Sequence, residues 1–220
     1  MERAWVSWSS GKDAAWALHV ARARREVEVV GLLTTVNEAV DRVAMHGVRR
    51  ELLLAQAEAT GLPVHVVHLP FPCTNEAYEA RMRDAIAAAR AQGVTQMIFG
   101  DLFLEDIRAY REEKLAGTGI APSFPLWHAP TGALAREMID AGVRAHVVTL
   151  DPRRLDRRFA GRVLDRALLD ELPPDVDPCG ENGELHTFVS RGPMLTREIP
   201  VQVGEIVERD GFVYCDLLPG

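Results

Sequence analysis

Residues 5–16, "WVSWSSGKDAAW", decide how the rest of the chain is read. An apolar run up to Trp8 meets a small polar corner, Ser9-Ser10-Gly11-Lys12-Asp13, which opens directly into an alanine-rich helical pattern. Strand, glycine-containing corner and helix in that order bring unpaired backbone N–H groups and the positive end of a helix dipole to one point, an arrangement that binds anions. Gly11 permits a tight turn and close approach, Ser9 and Ser10 add hydroxyl donors, and Lys12 supplies a point charge suited to a polyphosphate. Asp13 repels phosphate, so a magnesium-related or helix-start role suits it better. On these five residues alone, a solvated strand-to-helix turn is an equal reading.

Two better-known nucleotide motifs fail here. A Walker A loop would need glycine at Val6 and Ser or Thr at Asp13. The fragment "GTGIAP" at 117–122 begins like a dinucleotide fingerprint but ends in proline and follows no strand.

Outward from the corner, short β-branched runs alternate with helical patterns, the signal for βαβ units and a parallel sheet. Strands are expected near 4–8, 27–35, 64–69, 94–100 and 145–150. Helices are expected over 13–25, 48–60, 75–92 with Asn75 as N-cap, 105–115, 132–141 and 155–169. After "ELPPDVDP" at 171–178 three prolines break the pattern, and the remainder reads as β: "GELHTFVS", then "VQVGEIVE" and "FVYCDLL" joined across Arg209, Asp210 and Gly211. The expected fold class is α/β, with a domain over 1–172 and a smaller β-rich segment over 173–220 completing a cleft.

With 220 residues, 47% hydrophobic and 26% charged, the chain can bury a full core without staples. Three scattered cysteines indicate neither a disulfide framework nor a cysteine zinc site. A formal charge of −7 speaks against gripping a nucleic-acid backbone and favours a small ligand or a protein. No apolar run is long enough to cross a membrane and no signal-peptide pattern opens the chain, so a cytoplasmic location is expected.

A second constellation lies in "CGENGELHTFVSRGP", residues 179–193. Glu181, Glu184, His186 and Thr187 crowd acid, base and hydroxyl chemistry into seven positions. On a strand from Gly183, Glu184 and His186 would share a face, able to serve acid–base work, bind an amine or ligate a metal. For any one of them alone, a polar edge strand facing water is the blander reading.

"SSGKDA" resembles the SGGKDS loop of the PP-loop ATP pyrophosphatases, and the 179–193 segment resembles the GE-x-GE-x-HT-F-V-x-x-GP signature of the diphthine-ammonia ligase family. Further matches follow in order: "MHGVRRELLLAQAEATGLPV" (45–64), "FGDL" (99–102), "RAYREE" (108–113) and "FPLW" (124–127). The resemblance implies a Rossmann-like domain of the adenine nucleotide α-hydrolase type. It also implies an ATP-dependent, AMP-forming ligase of diphthamide biosynthesis, which adenylates a carboxylate, releases pyrophosphate and admits ammonia to form an amide.

Carried over, Ser9, Ser10, Gly11, Lys12 and Asp13 hold the ATP phosphates and Thr34 lies near adenine. Asp101 and Asp13 are magnesium candidates, with Asp101 alternatively a helix cap. Glu181, Glu184, His186 and Asp101 are the catalytic candidates, and Arg111, Glu112, Trp127 and Thr187 line the substrate side. His46 also matches a family position, although a lone histidine before a helix is more often structural. Implied partners are ATP, a carboxylate-bearing acceptor that is a small molecule or a translation factor, and free ammonium, since no glutaminase-like segment is present; a homodimer is allowed. The chain departs from the loop pattern at Ser10, in place of the second glycine, and at Ala14, in place of the final serine. The arginine- and alanine-rich usage suits a GC-rich bacterial genome, which would call for an acceptor other than diphthine. Two alternatives stand beside the ligase: an ATP-binding sensor without chemistry, and a tRNA-modifying PP-loop enzyme.

Overall fold

A computed structural model describes residues 1–220. The elements run β1 (Glu2–Ser7), α1 (Lys12–Arg24), β2 (Val27–Asn37), β3 (Arg42–Val43), α2 (Arg50–Thr60), β4 (Val64–Leu69), α3 (Asn75–Ala91), β5 (Val94–Ile98), α4 (Glu105–Leu115) and β6 (Ala121–Ser123). They continue with α5 (Thr131–Asp140), β7 (Arg144–Leu150), a 3₁₀ turn (Arg157–Phe159), α6 (Arg166–Glu171), β8 (Leu185–Arg191), β9 (Val201–Arg209) and β10 (Phe212–Pro219). No helix is long and apolar enough to cross a membrane.

The fold is α/β. One sheet runs β3-β2-β1-β5-β6 with β4 on β2, parallel throughout except for the short antiparallel β3. A separate antiparallel sheet has the order β8-β7-β10-β9. The first sheet's middle strands carry near-continuous apolar runs because helices cover both faces. The face towards α1 and α2 merges with the second sheet in one core of 42 buried residues, whereas the α3 and α4 face holds a cluster of 11. The 17-residue α3 buries only Ala85 and Ala89, so that second face is thinly packed and leaves room for a cavity.

Three expectations from the sequence need correction. The run at 145–150 is not in the parallel sheet; β7 pairs antiparallel with β8 and β10, so sheet membership changes after β6, well before residue 173. A run buried on both faces reads alike in either kind of sheet. The helix expected over 155–169 is a 3₁₀ turn followed by the six-residue α6. Gly161 lies in this stretch at φ 78°, outside the helical region, and packs so closely that a Cβ there would be 3.0 Å from Val203 Cγ1 and 3.1 Å from Cys215 Sγ. The cap of α3 is Thr74, whose Oγ1 accepts from Ala77 N at 3.2 Å, rather than Asn75.

Two polar fasteners join the sheets. Asp216 of β10 accepts from Arg42 at 2.8 Å and from Arg49 at 3.0 and 2.7 Å, tying the second sheet to β3 and the start of α2. The fully buried Gln56 of α2 accepts from Trp8 Nε1 at 3.1 Å and donates to the carbonyls of Ser10 at 3.0 Å and Val189 at 2.6 Å. Val189 N in turn donates to the Ser10 carbonyl at 3.0 Å, so the corner after β1 is clamped against β8. Every polar atom of the Gln56 amide is used, as burial demands.

Candidate functional site

The corner takes the shape its residues dictate. Ser10 is fully buried at φ 70°, the left-handed region that glycine enters without cost, and its Oγ has no partner. Gly11 caps α1 at φ −85°, where any residue is allowed. Its constraint is space, because a Cβ would lie 2.8 Å from His46 Cε1 and 3.3 Å from both Ser9 Oγ and the Thr187 carbonyl oxygen. Gly100, after β5, packs on the start of α1 so closely that a Cβ would meet the Asp13 carbonyl carbon at 2.7 Å.

The strand β8 closes the other side. Lys12 N donates to Thr187 Oγ1 at 3.1 Å, across 175 residues of sequence. The Lys12 side chain, 2% exposed, gives its ammonium to Asp13 Oδ2 at 2.9 Å and to the Cys179 carbonyl. Burial pulls the Lys12 pKa down, but Asp13, Cys179 and Asp177 outweigh it and leave it raised, so the ammonium is retained. Burial raises the Asp13 carboxyl against the opposing pull of Lys12. Asp13 Oδ1 is buried with no partner. Burial also pushes the Cys179 thiol up to about 12, which removes it as a nucleophile.

Between the corner and β8 lies a cavity of about 230 Å³, lined by Ser9, Lys12, Asp13, Asp101, Arg111, Glu181, His186 and Thr187 among others. Asp101 is ion-paired with Arg111, Oδ2 to Nε at 2.6 Å, and Arg111 lies 4.4 Å over the Phe99 ring. Asp101 does not cap α4, whose N-cap is Leu104. Glu181 Oε1 accepts from Leu102 N at 2.7 Å. Burial, with Asp13 and Asp101 nearby, raises its carboxyl to about 7 in spite of that bond. No three His, Cys, Asp or Glu side chains converge closely enough to hold a metal ion by themselves.

His46 and His186 stand at the cavity's other end, ring centroids 4.6 Å apart. Burial and the neighbouring His186 lower His46 to about 3, and burial with the Lys12 charge lowers His186 to about 4, so both rings are neutral at ordinary pH. Both also line a second, larger cavity of about 860 Å³ that shares Ser7, Ser9, Phe99 and Arg111 with the first. This larger space fills the thinly packed α3 and α4 face, between Leu33 and Thr35 of β2 and Tyr78, Met82 and Ile86 of α3. The ion pair between Lys114 of α4 and Glu79 of α3, at 2.8 Å, spans the two helices beside it. Thr34 contributes to the lining, but strand alternation sets its side chain in phase with Leu32 and Val36 of the main core, and its Oγ1 is buried without a partner.

Three residues singled out from the sequence lie elsewhere. Glu184 precedes β8 and lines neither cavity; it is fully buried beneath its own loop, where Oε1 accepts from Asn182 Nδ2 at 3.1 Å, Asp177 N at 3.2 Å and Arg154 Nη2 at 3.3 Å. It does not share a face with His186. Glu112 is on the outside of α4, paired with Arg108 at 2.8 Å. Trp127 packs 5.8 Å from Phe124 with Arg108 over its ring at 4.7 Å. The sequence reading passed over Gln56, and a lone glutamine inside a helical pattern carries no signal. It undervalued His46, whose importance comes from a contact made 141 residues away.

Family models match both parts of the chain. One for the diphthamide synthase N-terminal domain matches residues 2–120, which include the corner, and one for the diphthamide synthase C-terminal domain matches residues 130–217, which include β8. No match emerges from a search of curated proteins. A diphthamide synthase is an enzyme of diphthamide formation, and the two matches leave only a few residues of the chain uncovered. The chain belongs to the diphthamide synthase family.

Proposed function

We propose that the chain is an ATP-dependent, AMP-forming amide ligase that activates a carboxylate and passes it to ammonia. The observation that carries this reading is the closure of β8 over the start of α1: Thr187 holds the Lys12 amide, and one cavity is shared by the anion-binding corner and the acid–imidazole wall. The phosphates of ATP would lie at the N-terminus of α1, where the helix dipole and the Lys12 ammonium favour negative charge. The nucleoside would occupy the larger cavity beside β2, whose mixed apolar and polar lining suits a purine and a sugar.

In the first step an acceptor carboxylate oxygen attacks the α-phosphorus, an O–P bond forms, and pyrophosphate leaves with the bonding pair. In the second, the ammonia nitrogen attacks the acyl carbon, the bond to AMP breaks, and one proton leaves the nitrogen. Activation is required because oxide is a poor leaving group and AMP a good one. Asp13 and Asp101 both fit a magnesium ion, since each has a buried oxygen without a hydrogen-bond partner, Asp13 Oδ1 and Asp101 Oδ2; Asp101 is also ion-paired with Arg111, and Asp13 with Lys12. One or two carboxylates plus nucleotide phosphates are a usual magnesium environment, and the ion would there neutralise charge on the departing pyrophosphate. Glu181, poised near neutrality, is placed to take the proton released by nitrogen.

The acceptor is a carboxylate on a translation factor or on a small molecule, and a cytoplasmic location fits either. A nucleotide-binding protein without chemistry is the second reading, favoured by the Lys12 ammonium being committed to Asp13 and Cys179. Products distinguish the two. Incubation with ATP, magnesium, ammonium and a cell extract as acceptor source, followed by phosphorus NMR, should give extract-dependent AMP and pyrophosphate. ATP bound but unchanged under every extract would favour the sensor.

A further inference from the structure

Where the two cavities meet, two imidazoles stand side by side with no carboxylate against either ring. The His46 and His186 planes make an angle of 37° at 4.6 Å, and both rings line both cavities. His46 is carried there by a tight turn in which Met45 and Gly47 have φ of 64° and 66°. Thr149 of β7 fixes that turn by donating its hydroxyl to the His46 carbonyl at 3.0 Å. A left-handed methionine is a strained residue, and such strain persists where surrounding structure holds a side chain to a task.

The tautomer follows from one contact. His46 Nδ1 lies 3.1 Å from the Thr187 carbonyl oxygen, which can only accept, so Nδ1 carries the proton and Nε2 keeps a lone pair. Nε2 has no protein donor, and neither nitrogen of His186 is engaged by another side chain. The lone pair of Nε2 therefore has no protein partner at the junction of the cavities. The nearby Lys12 ammonium, fixed by Asp13 and the Cys179 carbonyl, opposes a second cation.

We propose that His46 and His186 form the seat of the nitrogen nucleophile and take it as neutral ammonia rather than ammonium. The inference rests on the ligase reading. Ammonia can donate N–H bonds to imidazole lone pairs while its own lone pair stays free to attack an acyl carbon. Ammonium has no lone pair to offer and calls for a carboxylate in contact, which this pair lacks. Burial keeps both rings uncharged, at about 3 for His46 and about 4 for His186, so they remain acceptors throughout the neutral range. The charged groups facing the smaller cavity are Lys12 and Asp13 from α1, Asp101 after β5, Arg111 from α4 and Glu181 before β8, and the larger cavity adds Glu79, Arg83 and Arg90 of α3 with Glu113 and Lys114 of α4. Of these Glu181, raised to about 7, gains charge as pH rises and would then favour ammonium, so a control with Glu181→Gln is needed.

The test uses the full chain labelled with ¹⁵N-histidine, titrated with ammonium chloride against a potassium chloride control at pH values of about 6, 7 and 8, reading the imidazole signals. Neutral ammonia increases about tenfold per pH unit in this range, so the apparent affinity for total ammonium should tighten by about tenfold per unit. It should do so in the Glu181→Gln protein as well. His46→Phe keeps a ring above Gly11 but removes both nitrogens, and should weaken binding by about tenfold; His186→Phe serves the same purpose if that protein does not fold. Affinity independent of pH, affinity unchanged by both substitutions, or no imidazole response overturns the proposal. ATP titrated into the same samples tests the ligase reading separately, since loss of ATP binding would sink that reading whatever ammonium does.

Discussion

Replacing Gly11 with alanine isolates the contact on which the site's closure depends. The backbone at φ −85° accepts alanine, so any cost comes from the new methyl group. That group would lie 2.8 Å from His46 Cε1 and 3.3 Å from the Thr187 carbonyl oxygen. The first distance is shorter than real carbon contacts, and the His46 ring cannot swing away freely because Nδ1 is held by Thr187 and its other side meets His186. Overpacking of this kind costs about 1–3 kcal/mol. For a chain of this size the melting temperature should fall by roughly 2–12 °C. Calorimetry on Gly11→Ala, His46→Ala and the double variant gives the coupling: the double should recover most of what Gly11→Ala lost, with an interaction energy of about 0.5–3 kcal/mol. A Gly11→Ala protein as stable as the parent, or strictly additive losses, would refute the packing argument.

Four further outcomes follow from particular residues. Ser10→Gly removes a left-handed non-glycine and an unpartnered hydroxyl, and should stabilise by about 1 kcal/mol in denaturant unfolding, net of the extra chain entropy; destabilisation would mean that the Oγ has a role the structure does not show. Glu184→Ala should lower stability by about 1–3 kcal/mol, because it strips the loop of a buried acceptor, and a stable variant that only loses turnover would return Glu184 to the chemistry. Burial would raise the Asp216 carboxyl, but Arg49 and Arg42 outweigh it and hold it at about 2, so its stabilising effect is present above the unfolded value of 3.8 and lost as pH falls through about 2. Asp216→Asn should therefore lower the melting temperature at neutral pH and much less at pH near 2; an equal loss at both would contradict the pairing. Finally, if Glu181 takes the proton released by nitrogen, product formation at saturating ammonium should rise with pH through an inflection near 7 that Glu181→Gln abolishes.

Much of the first sheet was legible because periodicity reports burial. The run that became β2 is rich in β-branched residues, β4 lies between Pro63 and Pro70, β5 lies between Gly93 and Gly100, and β1 is an apolar run that ends at the glycine-containing corner; the Asp210-Gly211 turn, both residues at positive φ, is written in the sequence as a hairpin. The two-residue β3 and the Ala-Pro-Ser strand β6 were not, since strands so short have no period to read. Sheet membership of β7 was hidden because pairing partners lie 35 residues or more away and local pattern does not name them. The corner at Ser9 to Asp13 and the His186-Thr187 pair were visible as motifs and do meet in space. What local pattern could not supply was direction: Glu184, two residues from His186, turns beneath its own loop, and Gln56 and His46 matter through contacts that only the fold creates.

The central claim is that the corner and β8 form one phosphate site. The most direct measurement is the change in backbone amide NMR shifts when magnesium and α,β-methylene ATP are added to the full chain. The account predicts that amides of Ser9 to Ala14 and of Leu185 to Thr187 move together with a single affinity. Changes confined to one of the two segments, or absent from both, would contradict it.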